Sequence, residues 1–197
     1  AGVLAEKKEM KVSEYEKRLK DKVARLKLVK GSFSLSYDLL PNLRKKNWRR
    51  LSVFPENFDR EAANAILKMS PEASSEALND LVRWSLVDYV PATSSEEGRY
   101  KLHDLARIFA ESCLSQGEFA DIQQIHSKHY SGVLSQADNL YKKGGTSILD
   151  GLKLFDSELA NISVGHAWVK SAIRSHRSFN KSDLKSIMQL ARSYAGD

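Results

Sequence analysis

Hydrophobic positions along the chain recur first with a helical period, then briefly in alternation, then with a helical period again. The stretch Ser34-Leu35-Ser36-Tyr37-Asp38-Leu39-Leu40-Pro41 predicts a short helical turn stopped before proline, since the residue ahead of a proline is driven out of the α region. Leu40, Leu43, Trp48 and Leu51 recur near the helical repeat and predict a helix over 42–52, ended by the apolar plug Leu51-Ser52-Val53-Phe54-Pro55. Asp59 can cap a helix over 60–69 whose buried face is Ala62, Ala63, Ile66 and Leu67. Ser70-Pro71-Glu72 opens a third helix with an N-cap hydroxyl, a proline at the first helical position and an acid in the first turn. Ala73, Ala77, Leu78, Leu81 and Val82 face one way along it. The period then changes: Val87 alternates with Tyr89, and Tyr100 with Leu102, around the polar tip Pro91–Gly98. That pattern predicts a β-hairpin, and three helices followed by a hairpin predict a winged helix. A lone two-stranded hairpin is marginal in water, so this one must lean on the helices.

From His103 the helical period resumes. Leu105, Ile108, Phe109 and Cys113 make one face. A long helix over 119–143 carries Ile122, Ile125, His129, Val133, Ala137 and Leu140 as its stripe, and Gly144-Gly145 breaks it. Helices over 147–155, 157–174 and 182–195 follow, so the second half is all helical. At the other end, residues 6–27 carry only a thin stripe (Leu19, Val23, Leu26) in a highly charged helix, which needs something else to pack on; Gly31 and Ser32 mark its boundary. The expected fold is therefore mainly α: the end of a helical domain at 1–30, a winged-helix domain at 31–112, and an α-helical arm at 113–197.

Charge changes this picture in one respect. Residues 1–50 hold fifteen Lys and Arg against six Asp and Glu, whereas residues 51–197 hold sixteen against nineteen, so the net +6 belongs to the N-terminal segment. No run of eighteen apolar residues predicts a membrane span, and a single cysteine, Cys113, forms no internal disulfide and fits a reducing cytoplasm as a small buried hydrophobe. The short apolar start Ala1–Ala5 does not make a signal peptide, and without an initiator Met the chain reads as a piece of a longer protein.

Catalytic signals are poor. Lys143-Gly144-Gly145-Thr146-Ser147 has phosphate-loop letters in the wrong order, no serine sits in a nucleophile-elbow context, and Cys113 has no obvious His partner. His126 and His129 share a helical face, and with His166 they offer too few ligands for structural zinc, so packing histidines are expected and no metal site. The winged-helix pattern raises DNA binding, in which the third helix enters the major groove. Residues 72–88, however, set Glu72, Glu76, Asp80 and Asp88 against Arg83 alone, and the wing adds Glu96 and Glu97 against Arg99. Phosphate contacts need Lys and Arg, so nucleic acid is disfavoured. The basic run Arg44, Lys45, Lys46, Arg49, Arg50 lies on the first helix, where a solvated face or a docking surface is expected.

Three stretches together resemble the winged-helix part of the NB-ARC family of STAND-class signalling ATPases. They are Ser34–Pro41 (like LSYDxLP), Trp48–Phe58 (like LxxLSVFPxxF), and Leu81–Leu86 leading to Tyr100-Lys101-Leu102-His103-Asp104-Leu105-Ala106-Arg107 (like LVxxSLL…YxLHDLxR). Leu102 stands where that Met-His-Asp motif often has Met. Ala1–Ala5 resemble the tail that follows the family's GLPLA motif, and Phe155–Asn161 with Trp168 resemble the helical linker that precedes tetratricopeptide-like sensor repeats in bacterial members. The resemblance implies that His103 touches the β-phosphate of ADP in the closed state and that Asp104 supports it. An imidazole N–H at a helix N-terminus is a favourable setting for a phosphate oxygen. It further implies no catalysis and no cofactor in this stretch itself, ADP or ATP in a parent ATPase, the ATPase core of the same chain as first partner, protein partners through the helical region, and oligomerisation of the parent on activation. The expected function is the regulatory part of a nucleotide-dependent signalling switch. The alternatives are a winged-helix DNA-binding transcriptional regulator or a plain helical protein-interaction module.

Overall fold

A computed structural model describes residue 31, residues 33–93 and 98–174, and the helix at 181–195, with side chains there from residue 186. The charged helix expected at 6–27 lies outside these residues, as does the centre of the hairpin tip. The chain divides into two compact units, Ala1–Leu40 and Pro41–Asp197. In the first, residues 33–38 form the expected helical turn, closed by the Leu40 amide donating to the Tyr37 carbonyl at 3.0 Å.

The second unit is mainly helical, with one small antiparallel sheet. Its elements are α1 (Asn42–Leu51), α2 (Arg60–Leu67), α3 (Pro71–Arg83), β1 (Asp88–Val90), β2 (Arg99–Lys101), α4 (Asp104–Ser112), α5 (Gln116–Lys143), α6 (Ser147–Arg174) and α7 (Lys181–Ala195). Local chemistry sets the helix ends. Asp59 accepts from the Ala62 amide at 2.7 Å and opens α2, and Lys68 closes it in the left-handed region at φ 57°. Ser70 caps α3 through the Ala73 amide at 3.3 Å, with Pro71 at the first position. A reciprocal capping box between Ser115 and Glu118 opens α5 at residue 116, three residues earlier than the apolar pattern predicts.

Three differences from the sequence pattern have clear physical reasons. Helix α6 runs unbroken through residue 156, because nothing at that position breaks a helix: Ser157 donates its hydroxyl back to the Leu154 carbonyl at 3.0 Å. The buried stripe of α5 is Ile122, Gln123, His126, Ser127, Tyr130, Ser131 and Ala137; it keeps Ile122 and Ala137 of the expected stripe but turns away from Ile125, His129, Val133 and Leu140. Small residues on α6 let the two helices approach closely there: a Cβ on Gly151 would stand 2.7 Å from the Ala137 carbonyl oxygen, and the Ser127 hydroxyl reaches the Gly165 carbonyl at 3.1 Å. Finally, Ala106, Phe109 and Ala110 form the inner face of α4, while Ile108 is exposed, as is Leu43 on α1.

The core joins the winged helix to the arm. Trp48, Leu51, Phe54, Phe58, Leu78 and Leu81 pack inside, the Phe54 and Phe58 rings stack at 4.0 Å, and Phe54 also meets His126 and Tyr130 of α5. A second cluster of Val169, Ala172, Ile187 and Leu190 holds α7 against α6.

Candidate functional site

The hairpin is short. Asp88 pairs with Lys101, Tyr89 with Tyr100 and Val90 with Arg99. Its support is a third strand-like position that the sequence pattern did not reveal. Phe58 and Tyr100 exchange backbone hydrogen bonds at 2.9 and 2.8 Å, so the segment before α2 lies along β2. A single bridging pair leaves no alternation to detect. Only the apolar plug around Phe54 hinted that this segment is buried.

The chain leaves β2 at Lys101, buries Leu102, and enters α4 at His103. His103 is the N-cap residue, with extended backbone (φ −59°, ψ 138°) and no side-chain cap bond. Its carbonyl accepts from the Arg107 amide at 2.8 Å. His103 and Asp104 are both exposed, with Asp104 in the first turn of the helix. The imidazole thus stands at the strand-to-helix corner, beside the orphan amides of a helix start and facing outward.

The three arginines of the basic run on α1 are drawn into ion pairs within the fold, whereas Lys46 stays exposed. Arg44 grips Asp80 of α3 through Nε at 2.6 Å and a terminal nitrogen at 2.9 Å, and its guanidinium lies 4.5 Å from the centre of the Trp84 ring. Arg49 reaches Glu118 of α5 at 2.6 Å. Arg50, almost fully buried, donates to the Ile66 carbonyl at 2.8 Å and pairs with Asp121 of α5 at 3.1 Å, where Lys68 also arrives at 2.8 Å. The Arg49 hydrogen bond holds the Glu118 carboxyl below the usual carboxylate range. Burial pushes Asp121 the other way, but Lys68 and Arg50 more than offset it and its pKa is lowered too. These three arginines tie the first helix to the third helix and to the arm.

The face that a DNA-reading winged helix would present is correspondingly poor in cations. On α3, Glu72, Glu76, Asn79 and Arg83 are exposed, and Asp80 is engaged by Arg44. In the hairpin, Arg99 turns inward to Glu158 of α6, leaving Lys101 exposed. Among the described residues of α3 and the hairpin, the exposed cations are therefore Arg83 and Lys101.

The histidines considered for zinc each lie against an aromatic ring, with His126 buried, His129 half-buried and His166 exposed. The ring of His129 meets Tyr130 edge-on at 4.9 Å, and His166 stacks on Tyr194 at 5.4 Å. His126 is fully buried, and among the described residues neither of its ring nitrogens makes a well-formed hydrogen bond. Burial pushes its pKa down to about 3, against a smaller opposite effect of Asn161. Among the described residues no group of three or more His, Cys, Asp or Glu is placed to hold a metal ion, and no helix is long and apolar enough to cross a membrane. Cys113 is half-buried at the C-terminus of α4.

Comparison with known proteins agrees with this architecture. Residues 48–115 match the family model of a winged helix-turn-helix domain. The regulatory protein AfsR of Streptomyces griseus is 31% identical over 145 residues, which covers 71% of this chain and 14% of that protein. Its namesake from Streptomyces coelicolor is 28% identical over 109 residues, covering 55% of this chain and 10% of that protein. No solved structure matches. The chain thus carries a winged helix-turn-helix domain within a mainly helical fold, and is similar to a short segment of much longer regulatory proteins.

Proposed function

We propose that the chain is a segment of a transcriptional regulator and that its winged helix faces protein. The similarity to two regulatory proteins across more than half of the chain carries the first part of this reading. It supports the transcriptional-regulator alternative more strongly than the nucleotide switch. The inward ion pairs of Arg44, Arg49, Arg50 and Arg99 support the second part, because duplex affinity comes mainly from Lys and Arg on phosphates. DNA contact then belongs to other parts of such a regulator.

The family match favours a second reading, in which this winged helix touches DNA itself. Fluorescence anisotropy of a labelled duplex titrated with the chain separates the two, run at about 50 and about 200 mM salt. Our reading expects that Arg83→Ala and Lys101→Ala leave whatever binding occurs unchanged. A several-fold loss in either variant, with a shallower salt dependence, establishes the DNA-reading alternative.

The exposed His103 at the start of α4 supports a nucleotide-sensing role inside such a regulator. In that role ADP favours a closed state and exchange for ATP releases it. In the full-length protein, His103→Ala and Asp104→Val then speed ADP release and raise basal output. Unchanged ADP retention and output in both variants overturn the role.

A further inference from the structure

The Arg99–Glu158 pair belongs to a larger polar cluster at the junction of hairpin and arm. Arg99 of β2 donates through Nε to the Asn57 side chain at 2.8 Å and through a terminal nitrogen to the Asn57 carbonyl at 3.3 Å. Its other terminal nitrogen pairs with Glu158 of α6. Glu158 is almost wholly buried, and its second oxygen accepts from the Asn161 amide at 3.1 Å. That same amide also reaches the Asn57 carbonyl at 3.0 Å. Asn161 of the arm and Arg99 of the hairpin therefore converge on Asn57, the residue that precedes the Phe58–Tyr100 bridge, and Glu158 of the arm holds both Arg99 and Asn161.

We propose that this cluster is a mechanical latch through which the arm sets the position of the hairpin and of the corner that bears His103. Three observations carry the inference. Each strand is only three residues long, so the hairpin cannot hold itself in place. Glu158 is a buried carboxylate whose one ion-pair partner among the described residues is Arg99, so displacing α6 by an ångström either drags Arg99 along or strands a charge in the core. And Arg99 lies four residues before His103, joined to it by a strand end and the buried Leu102, with no glycine between to absorb motion. The latch does not depend on what His103 contacts. Its tests use no nucleotide, so the two ideas fail separately.

Replacing both ion-pair partners by apolar side chains of similar volume, Arg99→Met with Glu158→Leu, while Asn161→Leu removes the remaining bond to the Asn57 carbonyl, takes the latch away and leaves no unpaired charge; exchange of an ion pair for apolar residues folds in other proteins at little cost. Amide hydrogen exchange followed by NMR then reads the hairpin and the arm in one experiment. The expected result is roughly tenfold faster exchange at the Phe58 and Tyr100 amides, with α5 and α6 protected as before. Unchanged exchange at Phe58 and Tyr100 overturns the latch, and so does a uniform rise over all elements, which would mark an ordinary core contact. The arm can also be pushed from its own side. A Cβ on Gly165 would lie 3.2 Å from the Ser127 Cα and collide with the Tyr194 hydroxyl. Gly165→Ala should shift the Tyr100 amide and Arg99 Nε resonances in the native background and leave the corresponding Tyr100 amide unmoved in the apolar variant. Resonances that stay fixed in the native background overturn the proposal.

Discussion

His126 makes the fold acid-sensitive in a way that one substitution can isolate. Its imidazole sits fully buried between Phe54 and Tyr130, with ring centroids 5.6 and 4.6 Å away. Burial lowers its pKa from 6.5 to about 3. The unfolded chain therefore takes up a proton that the folded chain refuses. The folded state is unaffected above pH 6.5, and it loses stability progressively as pH falls from there toward 3. The slope is about 1.4 kcal/mol per pH unit, so at pH 4.5 the loss is on the order of 2.7 kcal/mol. That is a sizeable part of the roughly 5–15 kcal/mol by which domains are stable. Glu118 and Asp121, whose pKa values are lowered, act differently: their contribution is present above the ordinary carboxylate range and is lost as pH falls through their lowered values. Comparison with His126→Phe, a ring of similar size that cannot titrate, removes this background. Urea unfolding followed by circular dichroism at several values between pH 7 and pH 4.5 should show the native protein losing ground to the variant steadily below pH 6.5. Parallel loss in the two proteins refutes the assignment of a buried neutral imidazole.

Other substitutions test the packing. Gly132→Ala on α5 meets nothing within 4 Å and should stabilise by about 1 kcal/mol through helix propensity. Gly151→Ala on α6 would place its Cβ 2.7 Å from the Ala137 oxygen and 2.9 Å from the Tyr141 nitrogen, both backbone, and should cost about 1–3 kcal/mol despite the same propensity gain. Opposite shifts in thermal midpoint are the expected pair of results. Leu78→Ala, at a fully buried site, should cost about 2–5 kcal/mol in denaturant unfolding. Ser115→Ala removes the capping box of α5 and should cost about 1 kcal/mol by the same measurement.

The parts of this fold that were legible in the sequence are those decided locally. Asp59 and Ser70 announce their helices because a cap is a contact over three residues. The order of three helices and a hairpin follows from the change of period. What was illegible depends on distant partners. Gln123 and Ser127 are polar and lie off the predicted stripe, so periodicity did not place them inside; the close approach of α6 buries them, together with His126, which was expected to pack. Arg44, Arg49 and Arg50 read as surface charge because their acids lie 36, 69 and 71 residues away. The same distance hides Arg99 and Glu158, separated by 59 residues. Those hidden pairs bear on function most, since they decide which cations remain to meet a phosphate backbone.

The central claim is that the winged helix draws Arg44, Arg49, Arg50 and Arg99 into internal ion pairs and presents a face suited to protein. NMR titration of the chain with a mixed-sequence duplex at low salt tests it residue by residue. The account predicts that the amides of Glu72–Arg83 and of both strands keep their positions as DNA is added. Shifts concentrated on α3 and the hairpin, and growing as salt is lowered, would contradict it.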